Sequence, residues 1–278
     1  MTTDTIRDMV DRILEGVNRL RAKGAYAEAL RMVDRLIEIC PEDPSAYRLK
    51  AEILASRGRA REGLELLEAS KKNVTDPIVL DRAKARILED TGECSAAIEV
   101  WKQVLAKHPD DTSAMTHMGK ALVDLGRHDE AARWFQKALD IDPEDAGVWS
   151  LLGTALYTLG RYEEALRSYE HALMLEPSSE LRWYNKANAL LELGRYDEAV
   201  RCFDAALDRD QEWVEAWNNR GVALERDSQF DQAEESFLKA LSLKPDYSLA
   251  RRNLDIIQAK MRGEEVDEDW LGTYEEFM

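Results

Sequence analysis

"LGRYEEALRSYEHALMLEP" occupies residues 159–177, and "LGRYDEAVRCFDAALDRDQ" follows at residues 193–211, 34 residues further on. An earlier version, "LGRHDEAARWFQKALDIDP", lies at residues 125–143, again displaced by 34. The period therefore belongs to the whole chain and not to one duplicated element. One position of this frame reads Gly24, Gly58, Gly92, Gly126, Gly160 and Gly194, with Ser228 closing the series. Five residues beyond each stand Ala29, Gly63, Ala97, Ala131, Ala165, Ala199 and Ala233. Small residues at a fixed spacing without an insertion mark stacked supersecondary units.

A single unit, "AGVWSLLGTALYTLGRYEEALRSYEHALMLEPSS" (146–179), contains two helical patterns. Trp149, Leu152, Ala155 and Leu156 fall on one face of a first helix. After Gly160, the series Tyr162, Ala165, Leu166, Tyr169, Ala172 and Leu173 marks a second. Gly160 can end the first helix in the left-handed conformation, and Pro177 stops the second. Gly153 and Ala165 lack bulk where the two helices must approach.

This pattern resembles the tetratricopeptide repeat, with Trp149, Leu152, Gly153, Tyr162, Ala165, Tyr169, Ala172 and Pro177 at its signature positions. The resemblance implies an all-α fold: a right-handed superhelical solenoid of about seven helix-turn-helix repeats with a C-terminal capping helix. Repeats are expected over 10–247, beginning near Val10, Pro44, Ile78, Thr112, Ala146, Glu180 and Val214. Residues 1–9 extend the first helix, with Thr3 or Asp4 as its N-cap. Residues 248–262 form the cap and 263–278 an acidic aromatic tail. The second and third repeats depart most, with Ser70 and Thr75 at the usual Ala and Pro positions and Lys84 and Val104 irregular.

Lys and Arg number 38 against 55 Asp and Glu, a net charge of −17, which disfavours nucleic acid or an anionic membrane as the main partner. The opening residues lack the apolar core of a secretory signal, and no stretch reaches the roughly 18 apolar residues of a membrane helix. A cytoplasmic location is expected. Cys40, Cys94 and Cys202 are too far apart in sequence for a metal or redox motif, and the four histidines fall at unrelated repeat positions. Neither a metal nor a cofactor is expected.

No set of nucleophile, base and metal interrupts the repeat, so an enzyme is not expected. The tryptophans Trp149, Trp183 and Trp217 share one repeat position and are expected in the core, facing the neighbouring repeat. In the resembled family the first helices line a concave face, and their fifth, sixth and ninth positions meet bound peptides. Here those positions include a column of Asn185, Asn219 and Asn253, with Asn188 and Asn218 beside it and Tyr184 above. Amides both donate and accept, so such a column could pair with a peptide backbone. Arg48, Arg82, Arg86 and Lys120 fall on the same face of earlier repeats, opposed by Glu52, Glu89 and Asp124. These cations either satisfy the neighbouring acids or meet carboxylates of a partner. The family's carboxylate clamp, mapped onto Tyr184, Asn188, Asn219, Leu249 and Asn253, keeps two asparagines and lacks its lysines and arginine, although Arg252 is adjacent.

The expected function is thus a non-catalytic scaffold that binds a protein or peptide partner. The alternative is self-association through the terminal repeats or the tail. The tail carries seven acids and no base from Gly263 onward, with Trp270, Tyr274 and Phe277 at i, i+4 and i+7. An acidic segment with a spaced apolar stripe can act as a pseudo-ligand, becoming helical in a groove.

Overall fold

The computed structural model describes residues 3–264, and fifteen α-helices with no strand occur among them. The chain divides into two compact units, 1–141 and 142–278. In the first, α1 (Thr3–Ala22), α2 (Tyr26–Ile39), α3 (Pro44–Ser56), α4 (Ala60–Ser70), α5 (Ile78–Asp90), α6 (Cys94–Lys107), α7 (Thr112–Asp124) and α8 (His128–Ile141) pair as consecutive hairpins. In the second, α9 (Ala146–Thr158), α10 (Tyr162–Leu175), α11 (Glu180–Glu192), α12 (Tyr196–Leu207), α13 (Val214–Arg226) and α14 (Phe230–Leu243) do the same. The last helix, α15 (Ser248–Met261), packs on α14 and touches α13. Side chains at the start of α1, Thr3 and Asp4 included, lie outside the described residues, and so does the tail from Glu265.

Local chemistry repeats with the period. Asp43, Asp111, Asp145 and Ser179 cap α3, α7, α9 and α11 by accepting a backbone N–H of the first turn. Six of the seven hairpin turns place a glycine at positive φ, 70° at Gly24 and 79° at Gly92, where a side chain would be strained. The second helices of four repeats open with a forked arginine pair: Arg59 to Glu62, Arg127 to Glu130, Arg161 to Glu164 and Arg195 to Glu198. The hydrogen-bonded guanidinium holds each of these carboxyls below the usual range.

The core of each unit is an aromatic series one position per repeat: Trp101 and Phe135 in the first unit, Tyr169, Phe203 and Phe237 in the second, all buried. The facing helix must offer almost no side chain. A Cβ at Gly153 would stand 2.6 Å from the Tyr169 ring, and one at Gly221 2.5 Å from Phe237. Helix α4 stops early at Ser70, whose hydroxyl turns back to Leu66 O, and Thr75 then ties the following loop to Glu42 O. Serine and threonine thereby close through hydrogen bonds a turn that elsewhere relies on Ala and Pro.

The repeated tryptophans correct the sequence expectation. Trp149, Trp183 and Trp217 are half-buried, not core. Each indole N–H donates to the carbonyl six residues earlier, on Pro143, Pro177 and Gln211 at 2.9, 3.0 and 2.9 Å. The indole N–H needs a partner when covered, and the loop carbonyl supplies it, so the ring clips the loop to the helix at the edge of the core.

Candidate functional site

In the first unit the four cations predicted on the first-helix face separate into two kinds. Arg48 and Arg21 both bind Glu52, at 2.9 and 3.1 Å. Arg82 reaches Asp111 at 2.7 Å, and the same carboxylate caps α7 through Ala114 N, so Arg82 neutralises a structural cap. Arg86 and Lys120 are exposed and make no ion pair or hydrogen bond among the described residues. They occupy the same position on α5 and α7, which touch each other within the unit.

Their expected opponents are engaged elsewhere. Glu89 accepts from the indole N–H of buried Trp101 and lies 2.9 Å from His117 Nδ1. The His117 ring in turn stacks on Trp101 at 5.1 Å. Asp124 lies 3.7 Å from Cys94 Sγ, and burial followed by the nearby Asp124 charge pushes that thiol's pKa up. Glu52 is taken by its two arginines. The pairing of His117 and Trp101 with Glu89 was not read from the sequence. Trp101 lies 34 residues before Phe135, and this aromatic series was the available signal.

In the second unit the asparagine column is an interior feature. Asn219 and Asn253 have 0 % exposure, as does Asn218, with Asn188 and Tyr184 also buried. Asn219 Nδ2 donates to the Tyr184 hydroxyl and to Asn188 Oδ1, at 3.0 and 3.1 Å. Asn218 Nδ2 donates to Asn219 Oδ1 and Asn253 Nδ2 to Asn218 Oδ1. The expectation that these amides face a peptide is therefore corrected. Buried amides need partners, and five side chains from α11, α13 and α15 satisfy one another. Asn185 alone in the column is half-buried, and Arg252 is exposed on α15. Beside the network, Lys260 Nζ binds the buried Glu225 at 2.6 Å, and Arg226 approaches it at 3.7 Å. Trp270, Tyr274 and Phe277 lie outside the described residues.

Tetratricopeptide repeat family models match residues 14–76, 82–146 and 184–248, and a further one matches 146–179. The chain belongs to the tetratricopeptide repeat family. Such repeats are typically non-catalytic protein-interaction modules. Among curated proteins no sequence matches the chain. Solved structures with the same fold include the following three. The C-terminal part of a TPR repeat-containing protein from Cytophaga hutchinsonii is 18% identical over 86% of this chain and 98% of its own, with a TM-score of 0.69. YrrB, described as a TPR protein with an unusual peptide-binding site, is 24% identical over 67% and 94%, with a TM-score of 0.59. MamA is 19% identical over 68% and 97%, with a TM-score of 0.58. Among the described residues of this tetratricopeptide repeat protein, no helix is long and apolar enough to cross a membrane.

Proposed function

We propose that this tetratricopeptide repeat protein is an interaction scaffold whose first unit holds an acidic segment of a protein partner across α5 and α7. One observation carries this: Arg86 and Lys120 share a repeat position, are exposed, and are left without a counter-ion while Glu52, Glu89 and Asp124 are engaged by other groups. Two cations on adjacent helices suit two carboxylates a few residues apart on a peptide, as charge-assisted hydrogen bonds favour. The peptide-binding site named for YrrB makes a peptide ligand a natural occupant of the fold. In the second unit, Asn185 and Arg252 are the remaining accessible candidates for peptide contact.

The test is titration of the labelled full chain with hexaglutamate and, as a control, hexalysine, followed by NMR. Hexaglutamate is expected to shift resonances of α5 and α7, an effect lost in Arg86→Glu/Lys120→Glu and weakened by salt. Shifts confined to other helices, or equal shifts with hexalysine, would overturn the assignment.

A further inference from the structure

Charge is distributed unevenly along the chain. Residues 1–141 contain 23 Lys and Arg against 25 Asp and Glu, a net of −2. Residues 142–278 contain 15 against 30, a net of −15. Six of those acids (Glu265, Asp267, Glu268, Asp269, Glu275 and Glu276) fall in the last fourteen residues, which contain no base. Glu264, just before them, is already held by Arg262 in a two-bond fork at 2.6 and 3.0 Å. The protein thus carries a nearly neutral unit in which Arg86 and Lys120 stand exposed without a counter-ion among the described residues at one shared repeat position, and a strongly acidic segment with no cation of its own.

We propose that residues 265–278 of one copy dock on the Arg86 and Lys120 face of a second copy, so that the protein recognises itself head to tail. This rests on the docking face proposed above and names its occupant. The chemistry fits at three points. Asp267, Glu268 and Asp269 supply adjacent carboxylates for two cations one repeat apart. Trp270 and Tyr274 supply aromatic faces on which a guanidinium or ammonium can sit, a contact of about 0.5–1 kcal/mol at exposed sites. Fourteen residues extend to about 45–50 Å at roughly 3.3–3.6 Å each, ample to cross two helices whose axes lie about 10 Å apart.

The contact is heterologous, since a segment following the second unit meets the first unit of another copy. Such contacts do not stop at a pair: they close into a ring or continue as an open chain. Association should therefore pass beyond the dimer as concentration rises. It should also weaken with salt, because exposed charges are screened within about 10 Å at 0.1 M.

Sedimentation velocity on the full chain from 1 to 100 µM, at low and high salt, tests this. The mean mass should rise past that of a dimer at low salt. Arg86→Glu/Lys120→Glu should weaken association at least tenfold, and so should Asp267→Lys/Glu268→Lys/Asp269→Lys. The chain carrying all five changes has both charges reversed and should associate again. A full chain that stays monomeric throughout overturns self-recognition, and so does a docked segment on its own chain. Association that survives Arg86→Glu/Lys120→Glu, or a five-fold variant that stays monomeric, does the same. Failure here is separable from failure of the docking face: hexaglutamate shifts on α5 and α7 in a monomeric chain leave that face standing, and their absence removes both.

Discussion

Ser228 adopts φ of 60°, the left-handed conformation that Gly194 holds at 71° one repeat earlier. The turn geometry is imposed by the hairpin, and the seventh repeat meets it with a residue that pays a steric cost of about 1–2 kcal/mol there. Ser228→Gly is expected to stabilise the second unit by about 1 kcal/mol, less the entropy that glycine adds to the unfolded chain. Gly194→Ser should destabilise it by a similar amount. Urea unfolding of the two variants checks this, and an unchanged midpoint in both would show that the turn absorbs the strain.

Close packing sets a second expectation. Gly153 lies where a Cβ would stand 2.6 Å from the Tyr169 ring, whereas the matching position opposite Phe203 is Ala187, fully buried. The α11–α12 pair has therefore accommodated a methyl that α9–α10 has not. Gly153→Ala gains about 1 kcal/mol in helix propensity and loses about 1–3 kcal/mol to overpacking, for a net loss near 1 kcal/mol. Ala187→Gly should lose about 1 kcal/mol of helix propensity together with the burial of one methyl, about 1 kcal/mol, and leave the spacing of α11 and α12 unchanged. A stabilised Gly153→Ala in thermal unfolding would mean that the ring moves aside freely.

The buried amide network makes the opposite demand on its members. Removing Asn219 takes a hydrogen bond from the Tyr184 hydroxyl, from Asn188 Oδ1 and from Asn218 Nδ2 in the interior, each bonded to it at 3.0–3.1 Å. Each net hydrogen bond contributes about 0.5–1.5 kcal/mol, so losing three should make Asn219→Ala destabilise by about 2–4 kcal/mol. Tyr184→Phe, which removes one hydroxyl, should cost about 1 kcal/mol. Asn185→Ala, at a half-buried position, should stay within about 0.5 kcal/mol. Equal losses at Asn185 and Asn219 in chemical denaturation would contradict the interior placement.

The repeat frame made the helix hairpins legible, because Gly160 and its equivalents report a backbone conformation, and backbone requirements recur with the period. Side-chain exposure did not follow as readily. Asn185 and Asn219 share one repeat position, yet one is half-buried and the other has 0 % exposure. The difference goes with neighbours whose identity does not repeat: Tyr184, Asn188 and Asn218 bond Asn219, where the equivalent positions around Asn185 hold Ser150, Thr154 and Tyr184. Likewise, Arg82 and Arg86 lie one turn apart on α5, and only Arg82 meets an acid, because Asp111 is fixed as the cap of the next first helix. A single-position column in sequence shows which residues stack, but pairing depends on which partners are already committed.

Glu225 and Lys260 illustrate commitment of a more costly kind. Their side chains are 5 % and 16 % exposed and 2.6 Å apart. Lys260→Met leaves the carboxylate buried beside only the more distant Arg226, and breaking such a pair from one side typically costs about 3–5 kcal/mol. Adding Glu225→Leu should recover most of the loss, since an apolar pair of similar volume carries no desolvation penalty. Thermal unfolding of the single and double variants distinguishes this from simple packing loss, for which the double variant would be the less stable.

Cys202 supplies the pH dependence. Its thiol is buried and its pKa is pushed up to about 11, chiefly by that burial. An unfolded cysteine ionises near 8.5, so the folded form keeps a proton that the unfolded form has lost at alkaline pH. The stability this contributes is complete below about pH 8.5 and is lost as pH rises towards 11, the sign required when the folded pKa is the higher one. At pH 8 only about one folded Cys202 in a thousand is a thiolate, the reactive species. Burial raises Cys40 first, and the charges of Glu42 and Asp43 raise it further, but Cys40 is partly exposed. A disulfide exchange reagent at pH 8 is therefore expected to modify Cys40 first, faster in high salt where those carboxylates are screened, and Cys202 only at the rate of local unfolding. Mass spectrometry of the labelled chain over time would show the order, and Cys202 reacting alongside Cys40 would contradict its burial in α12.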